Sequence, residues 1–470
     1  MSPIAPNTSS SVAVPDAAAT PTRAPVSARG LPLIGVLPAV VKSPLASLTR
    51  IAHEHSGAVV TLPFGPVKVY MPTRPHQVAH VLHDRWKSYP KGRGGMWKQI
   101  RRLFGDSLVT LDGESWVKDR RLLQPIFSRQ NLDALAGEMI ESITASLDAL
   151  EPRARQGAPL AINKEMATLT EDVVLRALFG VTLDRAEAEE LRASLMQAFE
   201  VTMKQLFLFF LPRQIPLPGE LAFRRGLRRL DAALLGLLRR RRTSPGTSKD
   251  LLSLLLDTRD QATSAPLADE HVRDEIVTMF FAGHESTALA QSWTLYLLAR
   301  NPRIQEQLEA EVDAVLGRRK PTASDLPKLV YTRQVLDESL RLYPPGWLMP
   351  RVAAEADVID GYPIPAGAFV AINLYALHRD PATWDRPASF EPERFASGAS
   401  RPRGQYIPFG AGPRLCIGDQ FGLMKAQLAL AMTVQRFRMR LAVDEPIEAR
   451  GLGGSLQPAT NMMMHVTPRD

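Results

Sequence analysis

The chain has 470 residues, 45% of them hydrophobic, with 57 Lys and Arg against 49 Asp and Glu, a formal net charge of +8 and one cysteine. A single cysteine excludes an intramolecular disulfide and a four-cysteine metal cluster. The positive balance would suit nucleic acid, but no helix-turn-helix, zinc-finger or RNA-binding pattern accompanies it, so a nucleic-acid partner is not expected.

Residues 1–30 are rich in Ala, Pro, Ser and Thr and read as a disordered leader. The apolar run Leu31 to Val41 is broken by Pro32, Gly35 and Pro38, and is far short of the ~20 residues of a membrane span. No secretory signal stands at the start, and a cytoplasmic protein is expected. Ala58–Leu62 and Val67–Met71 flank Pro63-Phe64-Gly65-Pro66, a hairpin signal. Apolar residues at three- and four-residue spacing then predict helices near 114–127, 131–150, 165–179, 186–209, 219–242, 268–299, 302–316 and 326–342. The run from Leu206 to Leu211, before Pro212, reads as core, as a lid, or as a surface touching a membrane. Short strands are predicted at 358–362, at 368–372 and through the tail from Arg438 to Val466. The fold class is mainly α, a large helical body with a minor sheet drawn from both ends of the chain. Sheet segments so far apart in sequence predict one interleaved domain over 31–470.

Four constellations carry chemistry. Trp116 and Arg120 stand one helical turn apart, and an indole N–H beside a guanidinium suits a carboxylate. In Ala282-Gly283-His284-Glu285-Ser286-Thr287, a mid-helix glycine costs about 1 kcal/mol relative to alanine, which implies close approach by a neighbour. Ser286 and Thr287 lie four residues after Ala282 and Gly283, so either hydroxyl can bond back to a carbonyl one turn earlier. Glu338 and Arg341 share a helix face. The loop Phe409-Gly410-Ala411-Gly412-Pro413-Arg414-Leu415-Cys416-Ile417-Gly418 sets Cys416 at the start of a helix, where N–H groups stabilise a thiolate. By itself this leaves open an inert buried thiol, a reactive one, or a ligand to a metal held by something else.

The loop spacing Phe-x-x-Gly-x-Arg-x-Cys-x-Gly resembles the haem-binding loop of the cytochrome P-450 family, and the other three motifs follow the family's order, so the resemblance covers the chain from about residue 30 to 470. The resemblance implies the cytochrome P-450 fold and a haem-thiolate monooxygenase with haem b (iron protoporphyrin IX) and O2 as co-substrate. It makes Cys416 the metal ligand and places Phe409 and Gly283 beside the haem. Trp116, Arg120, Arg351 and Arg414 hold its propionates, and Glu285, Ser286 and Thr287 manage protons. Glu338, Arg341 and Arg394 form a buried charged network on the cysteine side. Ser286 departs from the usual threonine, Gly422 from alanine and Lys425 from glutamate. Candidate pocket walls are Met96, Trp97, Ile100, Leu103, Phe280, Ala282, Trp347, Leu348 and Leu456 to Met462. Their apolar character implies a lipophilic substrate such as a terpenoid, fatty acid, steroid or polyketide. Electrons are expected from a separate ferredoxin or flavodoxin with an NAD(P)H-dependent reductase, docking on a basic face of Lys118, Arg121 and Lys425. A monomer is expected. Peroxygenase, isomerase and haem-based sensor are the alternative readings of the same ligand.

Overall fold

The computed structural model describes residues 21–92, 95–179, 185–206, 219–243, 250–259, 264–397, 400–452 and 454–469. The apolar run read as core, lid or membrane-touching surface, past Leu206, and the first twenty residues of the leader lie outside them. The predicted helices are present as Gly113–Leu123, Arg129–Arg155, Ile162–Phe179, Arg185–Leu206, Glu220–Thr243, Asp269–Arg300, Pro302–Leu316 and Val330–Leu342, and Asp419–Arg436 follows the cysteine loop. Two boundaries moved because of proline. Gln124–Phe127 tightens to a 3-10 turn containing Pro125, and the helix expected from 326 begins at Val330, after a 3-10 turn that contains Pro327. Proline has no N–H to give an α-helical ladder.

The longest helix, Asp269–Arg300, has Asp269 and Glu270 in its first turn and Arg300 in its last, which complements its dipole. Asn301-Pro302 ends it and starts the next helix. Most of its residues are buried on every side, so it runs through the middle of the larger core. No helix among the described residues is long and apolar enough to cross a membrane.

A five-stranded sheet carries the smaller core. Its order is Val26–Ser27, Val59–Phe64, Val67–Pro72, Phe369–Asn373 and Leu348–Val352. The predicted hairpin pairs Val59 with Pro72, and Leu348 pairs with Asn373. The leader expected over 1–30 is corrected at its end, because Val26–Ser27 lies parallel to Val60–Thr61 and Ala28 N–H donates to the Thr61 carbonyl. A polar composition did not reveal that this short stretch could complete an edge. In the tail, Ala449–Leu452 and Ser455–Pro458 form a hairpin. The indole N–H of Trp293 donates to the Leu456 carbonyl at 3.0 Å, which ties this hairpin to the long helix.

Candidate active site

The cysteine loop folds on its glycines. Gly412 has φ +68°, and a Cβ there would stand 2.0 Å from the Leu82 carbonyl oxygen, so only glycine fits. Cys416 N–H donates to the Phe409 carbonyl at 3.0 Å, closing the loop. Phe409 packs beside Leu340, Leu423 and Ala290. Cys416 keeps solvent-accessible surface although protein atoms crowd around it. That crowding raises its thiol pKa, against a Gly418 backbone hydrogen bond and the cations Arg120 and Lys91, which lower it. The thiolate stabilisation expected at the helix start is therefore present but outweighed by burial. A metal cation held at Cys416 would reverse that balance, because a coordinating thiol is deprotonated outright.

Cations gather next to this loop. Arg351 is 5% exposed, and among the described residues its guanidinium donates only to the Pro350 carbonyl at 2.8 Å and to Met349 Sδ at 3.3 Å. Burial, then Arg414, lowers its pKa to about 10. Arg414 lies over the Trp116 ring at 4.3 Å and pairs with Asp112, and its buried Nε has no acceptor among the described residues. Lys91 Nζ donates to the Val109 carbonyl at 2.6 Å. Its pKa is pushed well down by burial and then by Arg351 and Arg414. Among the described residues, Asp112 is the one carboxylate ion-paired with any of these three cations. Buried charge of one sign is tolerated only with compensation, so the cluster calls for further anions. The two propionates of haem are anions of that kind, and the donor set fits them.

Among the described residues Trp116 and Arg120 have separate protein partners. Trp116 is buried edge-on against Trp86, with Arg414 on its face. Arg120 donates instead to the Leu415 carbonyl at 2.8 Å, fastening its helix to the loop one residue before Cys416.

On the long helix, Ala282 and Ser286 are exposed within a largely buried stretch. Ser286 Oγ donates back to the Ala282 carbonyl at 2.6 Å, as the spacing predicts. Thr287 is buried and makes no matching bond to Gly283. The neighbour that Gly283 admits is Val174, whose Cγ2 would lie 3.3 Å from a Cβ there, so the glycine serves helix packing on Ile162–Phe179. Glu285 is buried, and its carboxylate accepts from Gln457 Nε2 at 2.6 Å and from Ser455 Oγ at 3.1 Å. Burial raises its pKa to about 7 against those two hydrogen bonds.

Lys425 corrects an expectation. It is wholly buried and donates to the Gly283 carbonyl, so it contributes nothing to a docking face. Lys118 and Arg121 remain exposed on the helix that carries Arg120. The support network is assembled as expected. Arg341 grips Glu338 with two bonds at 2.7 and 2.8 Å, and Arg394 stands 3.3 Å from the same carboxylate.

Several pocket expectations are also corrected. Phe280 and Leu103 belong to the larger core, as does Met462, and Trp347 and Leu456 to the smaller one, all with almost no accessible surface. Their apolar character is used for packing between elements. Trp97, Ile100 and Leu348 keep partial exposure, and Ala282 is open. The side chain of Met96 lies outside the described residues. Sequence reasoning missed Asp112 and Lys91. It also missed Ser455 and Gln457, although alternation along a strand puts both on the face opposite Leu456.

The family model described as cytochrome P-450 matches residues 25–465. Cyclooctatin synthase of Streptomyces melanosporofaciens is 36% identical over 420 residues, covering 88% of this chain and 90% of its own. Cyclooctat-9-en-7-ol 5-monooxygenase of the same organism is 34% identical, covering 87% and 88%. Pentalenene oxygenase of Streptomyces avermitilis is 30% identical, covering 91% and 94%.

Proposed function

The chain belongs to the cytochrome P-450 family and is a cytochrome P-450 monooxygenase, and from that premise we propose that it holds haem b through Cys416 and oxidises a terpenoid. The observation that carries the haem site is the lone accessible thiol beside three cations, of which Arg414 alone is ion-paired with a carboxylate among the described residues. Arg351, Arg414 and Lys91 would hold the propionates together with Trp116 and Arg120, which also fix Arg414 and the loop. Haem supplies the oxygen-activating chemistry, which a thiolate ligand favours.

This chain's residues supply the rest. The net change is one O2, two electrons, two protons and a C–H bond to an alcohol and one water; a C=C bond gives an epoxide instead. Glu285, with a pKa of about 7, can hold or release a proton near neutral pH. Ser286 and Thr287 offer hydroxyls one and two residues on. Two relatives are named for acting on pentalenene and cyclooctat-9-en-7-ol, and the partly exposed Ile100, Leu348 and Ala282 would suit such an apolar ligand. Fatty acids, steroids and polyketides are the competing classes. A separate ferredoxin or flavodoxin, with its NAD(P)H-dependent reductase, would dock by its acidic surface near Lys118 and Arg121.

The test is a ligand-shift titration of the haem-loaded protein against a panel of terpenes, fatty acids, steroids and polyketides, followed by product analysis with a surrogate ferredoxin and reductase. Oxygenated product from a terpene, in preference to the other classes, is the expected result. Turnover confined to another class would overturn the terpenoid assignment.

A further inference from the structure

Lys425 is a costly residue where it stands. Its side chain has no accessible surface, and the described residues offer its amine one hydrogen-bond acceptor, the Gly283 carbonyl at 2.5 Å, and one aromatic face, Phe421 at 5.6 Å. No carboxylate among the described residues pairs with it, and burial lowers its pKa to about 7. A methionine would fill a similar volume without that desolvation. The position therefore keeps an amine for what its N–H donors do.

What they do is visible one turn along the long helix. Ser286 and Thr287 each have a carbonyl one turn earlier to bond. Ser286 uses Ala282; Thr287 makes no side-chain hydrogen bond among the described residues, and the carbonyl it would use is the one that Lys425 occupies. The two helices also meet at Gln291, whose side chain donates to the Ala426 carbonyl at 2.5 Å. Lys425 thus links the helix that starts directly after the cysteine loop to the middle of the Ala282–Thr287 stretch.

We propose that Lys425 is a positioning residue for oxygen activation: by holding the Gly283 carbonyl it keeps the Thr287 hydroxyl uncommitted while Ser286 stays bound to Ala282. It acts through Gly283 and touches no reacting atom. The inference rests on the reading that this stretch serves oxygen activation. Without Lys425, Thr287 can fold back on Gly283, and one of the two hydroxyls available for proton transfer is withdrawn.

The test compares wild type, Lys425→Met and Lys425→Gln as haem-loaded proteins. Methionine removes the donors; glutamine keeps a neutral one. Two readouts are taken beside the carbon monoxide difference spectrum. One is amide hydrogen exchange in the segment 282–290. The other is hydrogen peroxide released per NADPH consumed, with a surrogate ferredoxin and reductase and no substrate added. Reduction of O2 by two electrons gives peroxide, whereas four electrons and four protons give two waters, so a shortage of protons raises the peroxide share. With Lys425→Met, exchange should quicken and the peroxide-to-water ratio should rise by about three- to tenfold, the range of one net hydrogen bond. Lys425→Gln should stay within about twofold of wild type on both. Met and wild type alike, or Met and Gln equally impaired, overturns the proposal. Should Lys425→Met lose its haem, Lys425→Gln decides alone: wild-type-like values support the proposal and a raised peroxide share overturns it. A wild type without a thiolate spectrum would instead sink the haem-thiolate reading on which this one stands.

Discussion

Gln457 Nε2 donates to Glu285 Oε1 at 2.6 Å, so a side chain of the C-terminal hairpin holds the buried acid of the long helix. Leu456, between Gln457 and Ser455, is locked into the core by its neighbours and by Trp293. The hairpin therefore presents two fixed polar side chains to Glu285.

Both hydrogen bonds lower the Glu285 pKa against burial, which holds it at about 7. Ser455→Ala combined with Gln457→Leu should raise it further, by about one unit. The pH at which the peroxide share changes should move upward with it. An unmoved pH profile in the double variant would show that these two residues do not set the acid.

The same acid should leave a mark on stability. Its unfolded pKa is about 4.3 and its folded pKa about 7. Between these values the folded chain binds more protons, so its stabilising contribution, full below about pH 4.3, is lost as pH rises through 7. Glu285→Gln should flatten that part of the curve. Denaturant unfolding at pH 5 and pH 8, for both proteins, measures the difference. Lys425 works in the opposite direction. Its unfolded pKa is about 10.4 and its folded value about 7. Its contribution is present above about pH 10.4 and is lost as pH falls to 7, so Lys425→Met should gain stability relative to wild type as pH is lowered through that window.

The cation cluster predicts effects of opposite sign in two states. Lys91, Arg351 and Arg414 repel one another, and among the described residues only Arg414 has an ion-paired carboxylate, Asp112. Lys91→Met should make the haem-free protein more stable by relieving that repulsion, yet speed haem loss from the loaded protein by removing a propionate partner. Melting temperatures of the haem-free pair and haem transfer to an acceptor globin measure the two effects. Changes of the same sign in both would remove Lys91 from the haem site.

Gly412→Ala should abolish haem loading, because the new Cβ would meet the Leu82 carbonyl and φ is +68°. The clash is with backbone, which cannot step aside cheaply. Gly418→Ala is the companion: φ there is −96°, and the nearest atom to its Cβ is a Phe127 ring carbon at 3.8 Å, so it should load haem normally. Equal loading of both variants would show that the loop is not held by Gly412.

The parts legible in sequence were those set by local spacing. Helix periodicity gave the body, the loop spacing singled out Cys416, and the three-residue step from Glu338 to Arg341 gave the pair, whose burial only the family resemblance implied. What stayed hidden depends on how distant elements meet. Lys425 reads as a surface residue by type, and only the packing of its helix on Asp269–Arg300 buries it. Trp347 and Leu456 look like pocket walls by composition, but Leu456 N–H donates to the Pro345 carbonyl and a Cβ on Gly451 would collide with the Trp347 ring. Apolar character alone does not separate a wall from a core.

The central claim is that Cys416 ligates the haem iron, and the carbon monoxide difference spectrum of freshly purified, reduced protein tests it most directly. The red-shifted Soret band of a thiolate-ligated haem is expected in wild type, and its loss in Cys416→Ala. A histidine-type band in intact wild type, or a red-shifted band that survives Cys416→Ala, would contradict it.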